Sequence, residues 1–372
     1  MNAPDIFLFH PCVFAVDREY QIMVAVHRPC LFWIEVEGQR YCDAAAGVLR
    51  SDCATHSVRI PTEVLDKAGR YTVCYRIQID RRPYFPVFED TVRLEYPFKP
   101  IRSDGEIRIY HISDAHSSVD APVKAAGYLG DQIDLLILNG DVLNHAGSPR
   151  DMQTVLLVGG AIGQGSLPIV CSRGNHDMRG ILAERIHEYL PSSREGNFFY
   201  TFRLGPIWGV VLDCAEDKRD ENAEYGGTIV CHEYRTAQSE MLKHIAAHAE
   251  EEHRAQGVRY RLVIAHNPFS EMHPAPFDME WETYGEWCRI LREQIKPDLM
   301  LCGHMHRIEV RDPRTRDAHL GRPCPVIIGA MPFQDGGFVG SAICLKEDTC
   351  ALAFTDHTLC VRQRLEIPLN PV

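Results

Sequence analysis

From Ile107 onward one pattern recurs: a short apolar run that stops abruptly at a small or polar residue. The runs are "EIRIYHISDAH", "DLLILNGD", "LPIVCSRGNHD", "IWGVVLDC", "YRLVIAHNP" and "PDLMLCGHMH". Runs this short and this uniformly apolar fit strands buried on both faces by helices. Segments with helical spacing separate several of them: "ILAERIHEYL", "EYRTAQSEMLKHIAAHAEEEH" and "EWCRILREQI". Strands alternating with helices indicate an α/β domain. In such sheets the chemistry gathers just beyond the carboxyl ends of the strands. Here that edge carries Asp114, His116, Asp141, Asn175, His176, His266, His304 and His306. After Pro325, "VIIGAMPF", "GSAICL", "CALAFTD" and "CVRQRLEI" are short strands without intervening helices, expected to complete a second sheet.

The chain ahead of this region has a different texture. "REYQIMVAV", "CLFWIEV", "HSVRIP", "GRYTVCYRIQI" and "DTVRLEY" are runs of β-branched and aromatic residues broken by Gly, Pro and Asp. They predict a small antiparallel β-sandwich. "YPFKPIRSDGE" then reads as a linker. The expected division is an all-β domain over 1–99 and a catalytic domain over 100–372, a length that suits two cores.

Composition narrows the partners. Lys+Arg total 39 against Asp+Glu 51, a formal charge of −12. Such a field does not attract a polyphosphate backbone, so nucleic acid is not the expected partner. "MNAPDIFLFHPC" lacks the basic region of a secretory signal, and no apolar run is long enough to span a bilayer. The 14 cysteines sit mostly singly inside apolar runs, with no Cys-x-x-Cys pair. Buried free thiols in a reducing cytoplasm are expected, and a thiolate zinc site is not.

The strand-end residues offer carboxylate, imidazole and amide oxygen donors. That set suits zinc, manganese or iron better than magnesium. Two close ions need a shared ligand, and one aspartate can serve both. Such a centre attracts phosphate despite the acidic whole and can activate water.

Asp114-x-His116, Gly140-Asp141-x-x-Asn144, Gly174-Asn175-His176-Asp177, His266 and Gly303-His304-x-His306 together resemble the five-motif set of the calcineurin-like metallophosphoesterases. The match runs in order from about Ile107 to Arg307. The resemblance implies a four-layer α/β/β/α sandwich. It implies one metal held by Asp114, His116, Asp141 and His306, and a second held by Asp141, Asn175, His266 and His304. Asp141 would bridge. His176 would face the substrate and assist the leaving group, with Asp177 orienting its ring, while a metal-bridging hydroxide attacks. The ions would be divalent or trivalent Mn, Fe or Zn.

A β-sandwich in front is similar to the purple acid phosphatases, but this chain has Asn144 where they carry a tyrosine ligand and His116 where they carry glycine. The closer resemblance is to bacterial chains with an immunoglobulin- or fibronectin-III-like front domain. They share stretches that read here "GNHDMRG" (174–180) and "LDCAEDKRDENAEYGG" (212–227).

Other polar residues have plainer readings. Asn144 either caps a turn or touches substrate, and Arg179 beside the third motif is a candidate phosphate contact. Arg173 reads as half of a surface ion pair. Asp213, Glu216 and Asp217 read as a solvated charge run, His111 and His187 as structural, and His145 as a weak substrate candidate. His244, His248 and His253 read as solvent-facing on a helix. The expected function is hydrolysis of small phosphate mono- or diesters. The alternatives are a nuclease, which would want a basic groove, and a scaffold that keeps the fold without the chemistry.

Overall fold

A computed structural model describes residues 4–102, 104–314, 319–333 and 335–369. Two stacked sheets form the centre. In the first, Ile107–Ile112, Leu135–Asn139 and Pro168–Ser172 run parallel, with Ile112 opposite Leu138 and Asn139 opposite Ser172. In the second, Ile207–Leu212, Tyr260–Ala265 and Leu299–Cys302 run parallel, with Leu212 opposite Ala265. These registers level the strand ends, so the residues that follow each strand share one edge.

The strands after Pro325 split between the sheets. Val326–Pro332 joins the second beside Leu299–Cys302, while Phe338–Leu345 pairs antiparallel with Ile107–Ile112 in the first. The two sheets meet where Met331 pairs with Val339. The expectation that these strands complete a second sheet holds for Val326–Pro332 and is corrected for the later ones, which extend the first.

Helices cover the outer faces. Thr154–Gly163 packs over the first sheet, where Leu138, Ile169 and Val155 share one apolar cluster. Cys231–Ala247 and Trp281–Ile290 cover the second, with Leu242, Trp287, Val263 and Met300 in another. A third cluster, including Ile109, Ile137, Val211 and Ile264, fills the space between the sheets. The order helix, sheet, sheet, helix is the expected four-layer arrangement. "ILAERIHEYL" forms only a 3-10 turn over Ala183–Glu188.

Residues 12–97 supply strands of two kinds. Cys30–Val36 lies between Gln39–Cys42 and Arg70–Asp80, which in turn pairs with Val92–Pro97. Facing them, Cys12–Val16 pairs with Glu19–Ala25, and that strand with Thr55–Pro61. This layout is a small β-sandwich. Cys12–Val16 also runs parallel to Pro168–Ser172, with Val13 opposite Pro168, so the first sheet continues across residue 99. Strand alternation shows in the packing: Cys12 and Phe14 join the helix-side cluster, and Val13 and Ala15 the inter-sheet cluster.

Candidate metal centre

Seven candidate ligands converge at the level edge. Asp114, Asp141, Asn175 and His266 are buried, His116 and His304 half-buried, and His306 exposed. The backbone turns sharply to bring them there. Asp114, His116, Asp141, His304 and His306 all have φ between 44° and 66°. Left-handed backbone is uncommon outside glycine, and clusters of it mark sites where surrounding structure holds a costly conformation. Two glycines permit the crowding. A Cβ on Gly174 would overlap the Asp141 carboxylate, and one on Gly303 would overlap Ser113 Oγ.

Two groupings have donor atoms within 4.8 Å of one another: Asp114, His116 and His306, and Asp141, His266 and His304. Asp141 enters a further one with His116 and His176, so it reaches both sides. His116 Nε2 is 2.9 Å from His306 Nε2, and His266 Nε2 is 3.1 Å from Asp141 Oδ2. The His266 Nδ1–H donates to the Asn139 carbonyl at 2.8 Å, which turns Nε2 toward Asp141, the usual way a ligating imidazole is oriented. The Asp114 carboxylate accepts from His304 N at 3.0 Å and from Ser113 Oγ at 2.7 Å.

The electrostatics call for a cation. Burial works against charge on His266, but Asp141 and Asp114 outweigh it and raise its pKa to about 10. Burial likewise disfavours the two carboxylates, yet His266 holds both below their ordinary range. Burial and the neighbouring His266 lower His304, keeping it a neutral imidazole. The Asn175 amide lies 3.1 Å from His304 Nδ1. With its oxygen and nitrogen exchanged, it donates to His304 Nδ1 and to Asp141 Oδ2 at 3.3 Å and accepts from Arg179 Nη2 at 3.1 Å. The donor set and its charge therefore fit metal ions.

Around this core the expected roles shift. The His176 ring is held by the Asn144 carbonyl, which accepts from Nδ1 at 2.9 Å. Asp177 does not touch that ring, which corrects the expectation. Its carboxylate accepts from Gly174 N at 2.6 Å and Asp141 N at 3.1 Å, so it ties the third motif to the second. Asn144 acts through its backbone; its N–H donates to Ser117 Oγ at 3.0 Å while its side chain is exposed. Arg179 makes two bonds of 2.7 Å to Glu216 and reaches His176 Nε2 at 3.4 Å. Asp213 and Glu216 are buried, which overturns the solvated reading of that run. Asp213 pairs with Arg173 at 2.7 Å, an interior pair and not a surface one. His253 is buried against Trp208, and His187 and His145 are exposed.

The sequence reading missed Asn139. Fully buried, it donates through Nδ2 to His111 Nε2 and Leu301 O, both at 3.0 Å, and accepts from Ser172 Oγ at 2.6 Å. It thus pins the ends of strands from both sheets. The available signal was a polar residue closing an otherwise apolar strand, "LLILN".

Among the described residues, one grouping lies elsewhere: Asp43, Cys53 and His56. Asp43 Oδ2 is 2.7 Å from His56 Nδ1, a hydrogen-bond distance, while Cys53 Sγ is 3.5 and 3.7 Å from the two ring nitrogens and so addresses neither lone pair. Hydrogen bonding accounts for it.

A histidine- and carboxylate-lined centre at the edge of a four-layer α/β/β/α sandwich is the mark of a metallohydrolase. A family model for calcineurin-like phosphoesterases matches residues 107–307, and the chain belongs to that family of metal-dependent phosphoesterases. Among solved structures, purple acid phosphatase PPD1 from yellow lupin (Lupinus luteus) seeds aligns with TM-score 0.62 at 12% identity, over 98% of this chain and 75% of that one. PhoD aligns with TM-score 0.56 at 10% identity, over 99% and 92%. Both show the shared fold. No curated protein matches the sequence. No helix among the described residues is long and apolar enough to cross a membrane.

Proposed function

We propose that this chain hydrolyses small phosphate mono- or diesters at a two-metal centre. Asp114, His116, Asp141 and His306 would hold one ion, and Asp141, Asn175, His266 and His304 the other. The observation that carries this reading is Asp141, whose carboxylate joins groupings on both sides of the site. Two ions of manganese, iron or zinc would lower the pKa of water and offset phosphoryl charge.

The chain's own groups do the rest. The Asn144 carbonyl fixes the His176 ring through Nδ1, and Nε2 lies 3.4 Å from the donor Arg179 Nη1. Released from that contact and protonated, Nε2 would give its proton to the departing ester oxygen. Glu216 holds the Arg179 guanidinium by two bonds, leaving Nη1 toward His176 and in position to meet a phosphoryl oxygen. Elemental analysis of the purified protein, paired with a panel of phosphomonoesters and phosphodiesters, tests the reading. A protein that binds metal and turns over neither class overturns it.

A further inference from the structure

A cavity of about 380 Å³ opens directly beside His304 and His306. Its wall includes the apolar Phe269, Met272, Phe277, Met279 and Met305, together with the polar Asn267, His273 and Tyr284. Phe269 and Met279 are buried and form the floor, while Phe277 and Met272 remain 41% and 36% exposed at the mouth. Exposed large apolar side chains gathered on a concave surface mark a binding site more often than chance. Two carboxylates also face this cavity, and both are already neutralised. Asp217 pairs with Lys218 at 3.2 Å, and Glu271 pairs with Arg322 at 2.8 Å and with Arg311. Neither is free to recognise a cationic group. At the mouth a hydroxyl-rich sugar would meet the exposed thioether and phenyl carbons of Met272 and Phe277, which cannot replace the hydrogen bonds it gives up to water.

We infer that this cavity selects phosphoesters whose organic group is apolar, an aryl ring or alkyl chain lying against Met272, Phe277 and Met305 while the phosphoryl group sits at the histidines. The inference rests on the two-metal reading above. Methionine-rich walls adapt to varied apolar shapes, so the site takes a class of groups and not one fixed outline.

The test is inhibition of p-nitrophenyl phosphate hydrolysis by methyl-, propyl-, hexyl- and phenylphosphonate, using the metal-loaded full chain. Each buried methylene is expected to tighten inhibition about fourfold, equivalent to ~0.8 kcal/mol, until the cavity is filled. Met272→Asp and Phe277→Asp place charge at the mouth and are expected to flatten that dependence, with bound metal measured alongside to confirm an intact centre. If methylphosphonate and hexylphosphonate inhibit equally, the apolar assignment is overturned while the phosphoesterase reading stands. If chain length matters but both variants leave the dependence intact, the organic group lies elsewhere and the assignment to this cavity is overturned. If no phosphonate inhibits and no metal is bound, the two-metal reading falls and takes this inference with it.

Discussion

Replacing Asn139 by alanine tests whether one buried amide holds the metal edge together. The substitution deletes two donated bonds of 3.0 Å and one accepted bond of 2.6 Å, all in an interior closed to water. Each partner left unpaired there costs about 1–3 kcal/mol. Ser172 Oγ, a hydroxyl that can rotate, is left out, so the two remaining partners sum to roughly 2–6 kcal/mol. That is a large share of the ~5–15 kcal/mol that holds a typical protein folded. At roughly 2 °C per kcal/mol for a chain of this size, the Tm should fall by ~4–12 °C. The backbone carbonyl that receives the His266 Nδ1–H survives the change. Metal affinity should therefore drop through looser strand ends, by about 10–100-fold as for other groups that orient ligands. Asn139→Asp should do no better, because it replaces a donor facing two acceptors with a third acceptor. Thermal unfolding with and without added metal, and metal retained after gel filtration, read both effects. A Tm within about 1 °C of the parent would refute the reasoning.

Four further outcomes are expected. Asp141→Ala should lose metal and activity together, whereas His176→Ala should keep its metal and lose about 10²–10⁴ in kcat, chiefly for poor leaving groups; a His176→Ala protein empty of metal would place that histidine among the ligands, beside His116 and Asp141. The metal-free protein holds a proton on His266, whose folded pKa is raised to about 10, so metal must displace it. Affinity should accordingly rise with pH up to about that value, and calorimetry in buffers of different ionisation enthalpy should detect proton release; pH-independent binding would contradict the assignment. Gly303→Ala should abolish metal binding, since its Cβ has no room beside Ser113 and Asp114, and a fully loaded variant would disprove the packing argument. A chain starting at residue 100 keeps all seven candidate ligands but bares the edge of Pro168–Ser172, so it should self-associate during size-exclusion chromatography; a monodisperse, metal-binding fragment would instead support two independently folding domains.

The centre's ingredients were legible because they are local. An apolar run that ends at Asp114, Asp141, Asn175, His266 or His304 announces both a buried strand and the polar group at its tip. Once such strands lie parallel and in register, those tips must share an edge. What lies between the tips is not local. Asp213 and Glu216 look solvated within "LDCAEDKRDE", and only the fold brings Arg173 and Arg179 over them. Asp177 follows His176 in sequence, yet a tight turn aims its carboxylate back at Asp141 N. Asn139 gains its importance from Leu301 and Ser172, neighbours set by strand order and far away along the chain. The same holds for Cys12–Val16: this uniformly apolar stretch is not among the strands read from the sequence, and its pairing with Pro168–Ser172 is decided by which sheet edge is open. Periodicity and strand-end chemistry thus fixed the elements, the family motifs and the candidate ligands. Sheet order, a matter of long-range packing, decided which buried charges pair, how His176 is held, and that a methionine-rich cavity opens beside the metal histidines.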